Sequence, residues 1–492
     1  MSKSSPLRPI PLRGRRTFAA FLLAGLAASG TITATAPAQA RTVVMVSIDG
    51  MNPEYVTQAE QRGLSMPNLR AIMAEGSHAE GARGIAPTVS WPSAVTLMTG
   101  TSPAQHGVLN NERFEPADRN TAGGLYLYDA DVKTDTLWHA AARAGLITAN
   151  VDQLSTVGGT AVHYDIPRYQ PSPWDDENRK AIGSAARPAG LLAALERDLG
   201  PYNGIDFRTD DYDATRVRYA VEILRRYRPQ FLTLHLSAVD VEAHEHAPFS
   251  PQANRAAQDV DMLIGQLWSA TKAVDPDSVL VVVSDHGQAP ATKRLNLRIP
   301  LIEAGLITVT PSGNGRAARI TDWQADIWAA SDAAIMLRDP GDEATRRRVR
   351  EVLGRLAADP ANGIARIIEG QDIAALEGYT GASFVVQMQS GTVVGGALAG
   401  DLVQSMAAPV GVHGYLPDNR QMDAAFFITG SGIRAGQNLG RIDIRQIAPT
   451  VAQALGVSLR DARQAALPVF TQAPAPAHAS TGAAAGSPER RP

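Results

Sequence analysis

The sequence predicts an α/β fold, a mostly parallel central sheet with helices on both faces and an inserted region between two of its strands. Three observations predict it. Short apolar runs recur at 42–48, 146–151, 231–236, 279–283 and 425–429, each bounded by turn residues, and they read as buried parallel strands. Helical periodicity fills gaps between them at 214–226, 253–273 and 446–455, and strands alternating with helices make a parallel sheet covered on two sides. The interval 290–409 breaks the rhythm with a basic helix at 343–357 and Gly-rich stretches at 310–315 and 391–400. It reads as an inserted cap, splitting the α/β core into 41–289 and 410–470.

The ends of the chain have their own signatures. Residues 1–40 run from a basic stretch ending Arg15-Arg16, through an apolar run at 18–28, to Ala38-Gln39-Ala40. That order predicts a signal peptide cleaved after Ala40 and a periplasmic or secreted protein. The arginine pair suits the twin-arginine route as well as the ordinary secretory one. No later run reaches eighteen apolar residues, so the mature chain is expected to have no membrane span. Residues 471–492, rich in Ala, Pro, Ser and Gly, read as a flexible tail.

Composition narrows the chemistry. Apolar residues make up 44% of the 492 and charged residues 19%, enough apolar surface for a folded core. Formal charge is −3; Lys3, Arg8, Arg13, Arg15 and Arg16 all lie in the leader, leaving the mature chain at −8. Such a surface does not attract polyanions, so no nucleic-acid-binding surface is expected. With no cysteine there are no disulfides, thiolate metal sites or cysteine nucleophiles, and any metal must be held by His and carboxylates.

In open parallel sheets ligands bind outside the carboxyl ends of the strands. There the chain places Asp49 after the first run, Asp240 and His244 after 231–236, and Asp285-His286-Gly287 after 279–283, with His413 in a Gly-Val-His-Gly-Tyr turn before the last run. Singly these have plainer readings: Asp49 as a helix N-cap, Asp240 with His244 as an exposed helical pair. Together they supply three carboxylates and three imidazoles, a set suited to two divalent ions, fitting zinc better than calcium or magnesium and open to manganese or iron. Asp240 and His244, four apart, share one helical face. Ser90 precedes a helix that Pro92 suits near its start and Gly100 ends, so it lies at an anion-favouring N-terminus; as a lone residue it too reads as an N-cap. Bound metal can make such a hydroxyl a nucleophile.

These residues resemble the alkaline phosphatase superfamily, and within it the nucleotide pyrophosphatase/phosphodiesterase branch, over about 43–467. The resemblance implies an alkaline-phosphatase-like fold and two zinc ions, one held by Asp49, Ser90, Asp285 and His286, the other by Asp240, His244 and His413. It implies that Asn111, twenty-one residues past Ser90 at the end of a His-Gly-x-x-x-Asn stretch, contacts the phosphate. Two departures bear on substrate preference: the branch usually has Thr where Ser90 stands, and Asn-His where Ser93-Ala94 stands. The implied function is a metal-dependent phosphoric ester hydrolase. Ser90 attacks a small phosphodiester or nucleotide in line, a phosphoseryl intermediate forms, and water resolves it. The alternative is an alkaline phosphomonoesterase; no motif supplies the extra cation a dianionic monoester favours. A sulfatase fits less well, because its motif has Arg where Ala94 stands, and a non-catalytic binding protein fits less well still. Trp91 reads equally as a stacking surface or as packing, His106 as a brace for the nucleophile's loop, and His235 as the interior of a strand.

Overall fold

In the computed structural model of the chain, which describes residues 41–169, 176–207, 209–311 and 317–471, the central sheet is built around Val43–Ile48. The expected leader at 1–40, and the tail apart from Thr471, lie outside the described residues. The sheet runs in the order Gln437–Asn438, Ser77–His78, Phe426–Gly430, Val279–Val283, Val43–Ile48, Phe231–Leu236, Thr148–Val151 and Tyr164–Ile166. Val43–Ile48 pairs parallel with Phe231–Leu236 on one side and Val279–Val283 on the other, Val46 lying opposite Leu234 and Val282.

Every residue of these three strands is buried, because helices cover both faces. Alternate side chains of one strand serve two cores. Val44, Val46 and Ile48 pack with Ile223 of the helix Tyr212–Tyr227 and with Val260 and Leu267 of Pro251–Val274. Val43 and Met45 face Leu97 of Ser90–Thr99 and Val451 of Ile447–Leu455. Each fully buried Val, Leu or Ile contributes about 1.5–3 kcal/mol, which explains the continuous apolar runs in the sequence.

One expected strand runs the other way. Phe426–Gly430 is antiparallel to Val279–Val283. The chain enters it from the turn carrying His413, which already sits at the site end of the sheet, with no helical crossover to carry it back to the opposite edge.

Between Ala289 and Val412 the chain builds smaller sheets, none of whose strands joins the central one. Ala325–Ala329, Ala333–Leu337, Phe384–Met388 and Ile364–Glu369 form a four-stranded antiparallel sheet. Ala289–Asn296 is flanked by Thr392–Gly395, parallel, and Val403–Val412, antiparallel. The basic helix forms over Glu343–Ala357, with Asp342 accepting from the Ala344 and Thr345 amides and Val349, Val352 and Leu353 turned inward. Of the expected Gly-rich stretch at 310–315, residues 312–315 lie outside the described residues.

Candidate active site

The carboxyl ends of the three middle strands open on one point. Asp49 follows Val43–Ile48, and Gly50 follows it at φ +68°, where a Cβ would lie 2.7 Å from Asp240 Oδ1. A side chain at position 50 would thus strain the backbone and displace the carboxylate opposite. Asp240 and His244 lie on the helix Ala238–His246, their side chains 3.3 Å apart at His244 Nε2 and Asp240 Oδ2. Asp285 and His286 follow Val279–Val283, and Asp285 Oδ1 accepts from the amides of Gly50 (3.2 Å) and His286 (3.0 Å).

Ser90 is the first residue of the helix Ser90–Thr99, after an extended Val89, and the left-handed Gly100 ends that helix. Ser90 Oγ is 3.2 Å from His286 Nε2 and 3.5 Å from Asp49 Oδ1. Asn111 Oδ1 accepts from the Trp91 amide at 3.0 Å, which holds Asn111 beside Ser90 and leaves its NH2 group as a donor. The structure therefore brings all eight expected site residues together.

The imidazoles share an orientation. Nδ1 of His286, His244 and His413 lies 3.2, 2.9 and 3.1 Å from the carbonyls of Gly287, Gly411 and Thr88, so that each Nδ1 is placed to donate to the backbone and each Nε2 is turned toward the carboxylates. Each Nε2 faces carboxylates: His286 lies 3.4 Å from Asp49 and 3.7 Å from Asp285, and His413 lies 4.0 Å from Asp240. The His286 and His413 rings stack at 3.8 Å. Backbone-anchored imidazoles with their free nitrogens converging are the pattern of metal ligands.

The electrostatics agree. Burial, with the charges of Asp49 and Asp240 added, raises the Asp285 carboxyl well above the usual range. Asp285 Oδ2 is buried with no hydrogen-bond partner among the described residues, an arrangement a cation relieves. Burial works against ionised Asp49 as well, yet the hydrogen bond to His235 and the nearby histidines hold it below the usual carboxylate range. Burial, then His286, pushes His413 down to about 3. His244 rises to about 9 because Asp240 outweighs the cost of burial. Donor atoms of Asp49, Asp285 and His286 lie mutually within 4.8 Å, as do those of Asp240, His286 and His413, so the residues present fit a metal ion. The second trio contains His286 where the resemblance implied His244. The short His244 to Asp240 distance keeps His244 within reach of the same ion.

The remaining readings resolve as follows. Trp91 packs with Val95, Val108, Tyr126 and Leu154, which favours packing over a stacking surface. His106 is fully buried and bonds Thr96 Oγ1 on the helix Ser90–Thr99, and burial lowers it to about 3. Two polar contacts had not been anticipated. His235 Nε2 lies 3.2 Å from Asp49 Oδ2, and Gln288 Nε2 donates to Asp240 Oδ1 while Asn52 Oδ1 accepts from the Gln288 amide. A histidine interrupting a run of leucines was the available signal for the first; the second had none.

A fold of this order, with acidic and histidine side chains gathered at strand ends beside a serine, defines an α/β protein built like the alkaline phosphatases. The chain belongs to the type I phosphodiesterase / nucleotide pyrophosphatase family, whose model matches residues 43–415. It is similar to ectonucleotide pyrophosphatase/phosphodiesterase family member 1 of Mus musculus, 26% identical over 250 residues, half of this chain and 24% of the mouse protein. It is also similar to venom phosphodiesterase 2 of Crotalus adamanteus, 24% identical over 269 residues, 53% of this chain and 28% of that one. The matched region spans only about a quarter of these relatives. Among solved structures, human ectonucleotide pyrophosphatase/phosphodiesterase 5 has a TM-score of 0.60 at 19% identity, covering 87% of this chain and 96% of that one. An inactive murine form in complex with AMP has a TM-score of 0.59 at 18% identity, covering 86% and 96%. These likenesses establish the fold.

Proposed function

We propose that the chain is an exported hydrolase of small phosphodiesters and nucleotide pyrophosphates, working through a phosphoseryl intermediate on Ser90 with two divalent ions, zinc by the donor set. The observation that carries the reading is the convergence of Asp49, Asp240, Asp285, His286 and His413, with His244 against Asp240, beside a serine at a helix start. Asp49, Ser90, Asp285 and His286 are the residues for one ion, and Asp240, His244 and His413 for the other. When bound, such ions lower the pKa of a hydroxyl and neutralise charge on phosphoryl oxygens.

Ser90 Oγ forms the bond to phosphorus as the bond to the leaving alcohol breaks; the serine proton is lost and the alcohol gains one. Water then replaces Ser90 at phosphorus, returning the hydroxyl and releasing the phosphoryl product. The Asn111 NH2 group is placed to donate to a non-bridging oxygen, where charge grows. Residues 290–409 cap the core formed by 41–289 and 410–470. A cavity of about 500 Å³ lies between Asn111, His413, Arg119, Arg298 and Trp328. Its arginines are already paired, Arg119 and Arg298 with Asp326 and Arg113 with Asp131, which favours a singly charged diester over a dianionic monoester. Export is supported by the leader at 1–40 and by relatives named as ecto-enzymes and venom proteins. No described helix is long and apolar enough to cross a membrane.

Rates on bis-p-nitrophenyl phosphate, p-nitrophenyl phosphate and p-nitrophenyl sulfate, with metal content measured on the same sample, test the proposal. The diester is expected to be fastest and two equivalents of metal to be bound. A faster monoester reverses the substrate order, and active protein without metal removes the mechanism.

A further inference from the structure

The histidine inside the central strand has an arrangement that packing does not explain. His235 lies in Phe231–Leu236, flanked by fully buried Leu234 and Leu236, and is itself 1% exposed. Its Nε2 faces Asp49 Oδ2 at 3.2 Å and, since a carboxylate only accepts, Nε2 carries the proton. Its Nδ1 is buried with no hydrogen-bond partner among the described residues. A leucine would fill this position without leaving a ring nitrogen unpaired, so the imidazole has a use only in its contact with Asp49.

That contact divides the labour of the Asp49 carboxylate. Oδ2 is engaged by His235 on the inner side, while Oδ1 faces His286 Nε2 at 3.4 Å and Ser90 Oγ at 3.5 Å. A carboxylate anchored through Oδ2 is held in one rotamer, with Oδ1 directed at Ser90 and His286. We infer that His235 is a positioning residue: it holds Asp49 through Oδ2 so that Oδ1 is the oxygen offered to an ion beside Ser90. The inference rests on the two-ion reading above. It concerns that ion alone, because His235 has no contact with Asp240, His244 or His413 among those described.

The test compares His235→Gln with His235→Met, side chains of similar reach of which only the first brings a donor to Oδ2. Zinc affinity of each folded protein, and of the unchanged protein, is measured by competition with a chromogenic chelator, resolving the two equivalents. His235→Met is expected to bind one equivalent about 10- to 100-fold more weakly and the other as before. His235→Gln is expected to recover most of that loss. Equal affinities in the two variants, or equal weakening of both equivalents, overturn the inference. If the unchanged protein binds no zinc, the two-ion reading itself fails, which is a distinguishable result. If His235→Met does not fold, His235→Gln still decides, since a loss of more than tenfold there shows that the donor is not what matters.

Discussion

The central sheet and the smaller sheets of 289–412 solve the problem of burying apolar surface differently, and the difference decides which of them can gather the candidate site. Val43–Ile48, Phe231–Leu236 and Val279–Val283 run the same way and are buried along their whole length. All their carboxyl ends open on one side, so Asp49, Asp240 and Asp285 meet although nearly two hundred residues separate Asp49 from Asp240. Antiparallel strands alternate their ends and gather nothing of the kind. Ile364–Glu369 is only partly buried, as expected of an antiparallel strand with one open face. None of the eight site residues lies within the second region; His413 comes immediately after its last strand, Val403–Val412.

If that contrast is right, substitutions at the ends of the parallel strands remove chemistry and those in the second region remove stability. The largest effect is expected from Ser90→Ala, a loss on the order of 10⁴-fold in kcat with the fold and at least one metal equivalent retained. A variant keeping a hundredth of the activity would place the nucleophile elsewhere. Next, dialysis against a strong chelator is expected to abolish activity and lower Tm by an amount corresponding to a few kcal/mol, both restored by added zinc. A chelated protein of unchanged Tm would argue against ligands spread over three strands.

In the second region, Asp326 is fully buried and accepts from Arg119 on one side and Arg298 on the other. Asp326→Ala leaves two guanidinium groups without their counter-charge and is expected to cost about 3–5 kcal/mol of stability. Activity per folded molecule on a diester should stay within a few-fold, while the two freed guanidinium groups on the cavity wall should raise activity on a monoester relative to it. A loss as large as that of Ser90→Ala would break the division between the two regions.

What the sequence disclosed follows the same line. Apolar runs followed by Asp or Asp-His are local patterns, and they located Asp49, Asp285 and His286 to the residue. The spacing of Asp240 and His244 read correctly as one face of a helix, observed at Ala238–His246. The direction of Phe426–Gly430 was not legible, because it depends on where the chain enters the strand rather than on what the strand contains. Nor were the bonds from His235 to Asp49 and from Gln288 to Asp240, since each joins positions that only the finished sheet makes neighbours. The Arg119, Asp326 and Arg298 cluster was hidden for the same reason.

A smaller effect is expected in the pH dependence of stability. Burial raises the Asp332 carboxyl from 3.8 to about 7, although the Met388 and Leu416 amides donate to it. The folded value exceeds the unfolded one, so this group's contribution is complete below about pH 4 and is lost as pH rises through about 7. Thermal unfolding of the unchanged protein should show Tm falling between about pH 4 and 7, and Asp332→Asn should lack that part of the fall. Parallel curves for the two proteins would show that Asp332 is ionised across the whole range.

The smallest effect tests the one place where the two regions share a residue of the site. Ser331 Oγ donates to the His413 carbonyl, and the Leu416 amide three residues on donates to Asp332, so the second region holds the turn that presents His413. The imidazole itself is fixed from the core, by the Thr88 carbonyl at 3.1 Å. Ser331→Ala removes one neutral hydrogen bond, about 1 kcal/mol, from the backbone of the turn and none from the ring. Its effect on kcat/KM is therefore expected to stay within about fivefold, and the affinity for the metal equivalent proposed for Asp240, His244 and His413 should fall no further than that. A tenfold or larger loss in both would mean that His413 is positioned chiefly by the second region, and the catalytic centre would then belong to both regions rather than to the parallel strands alone.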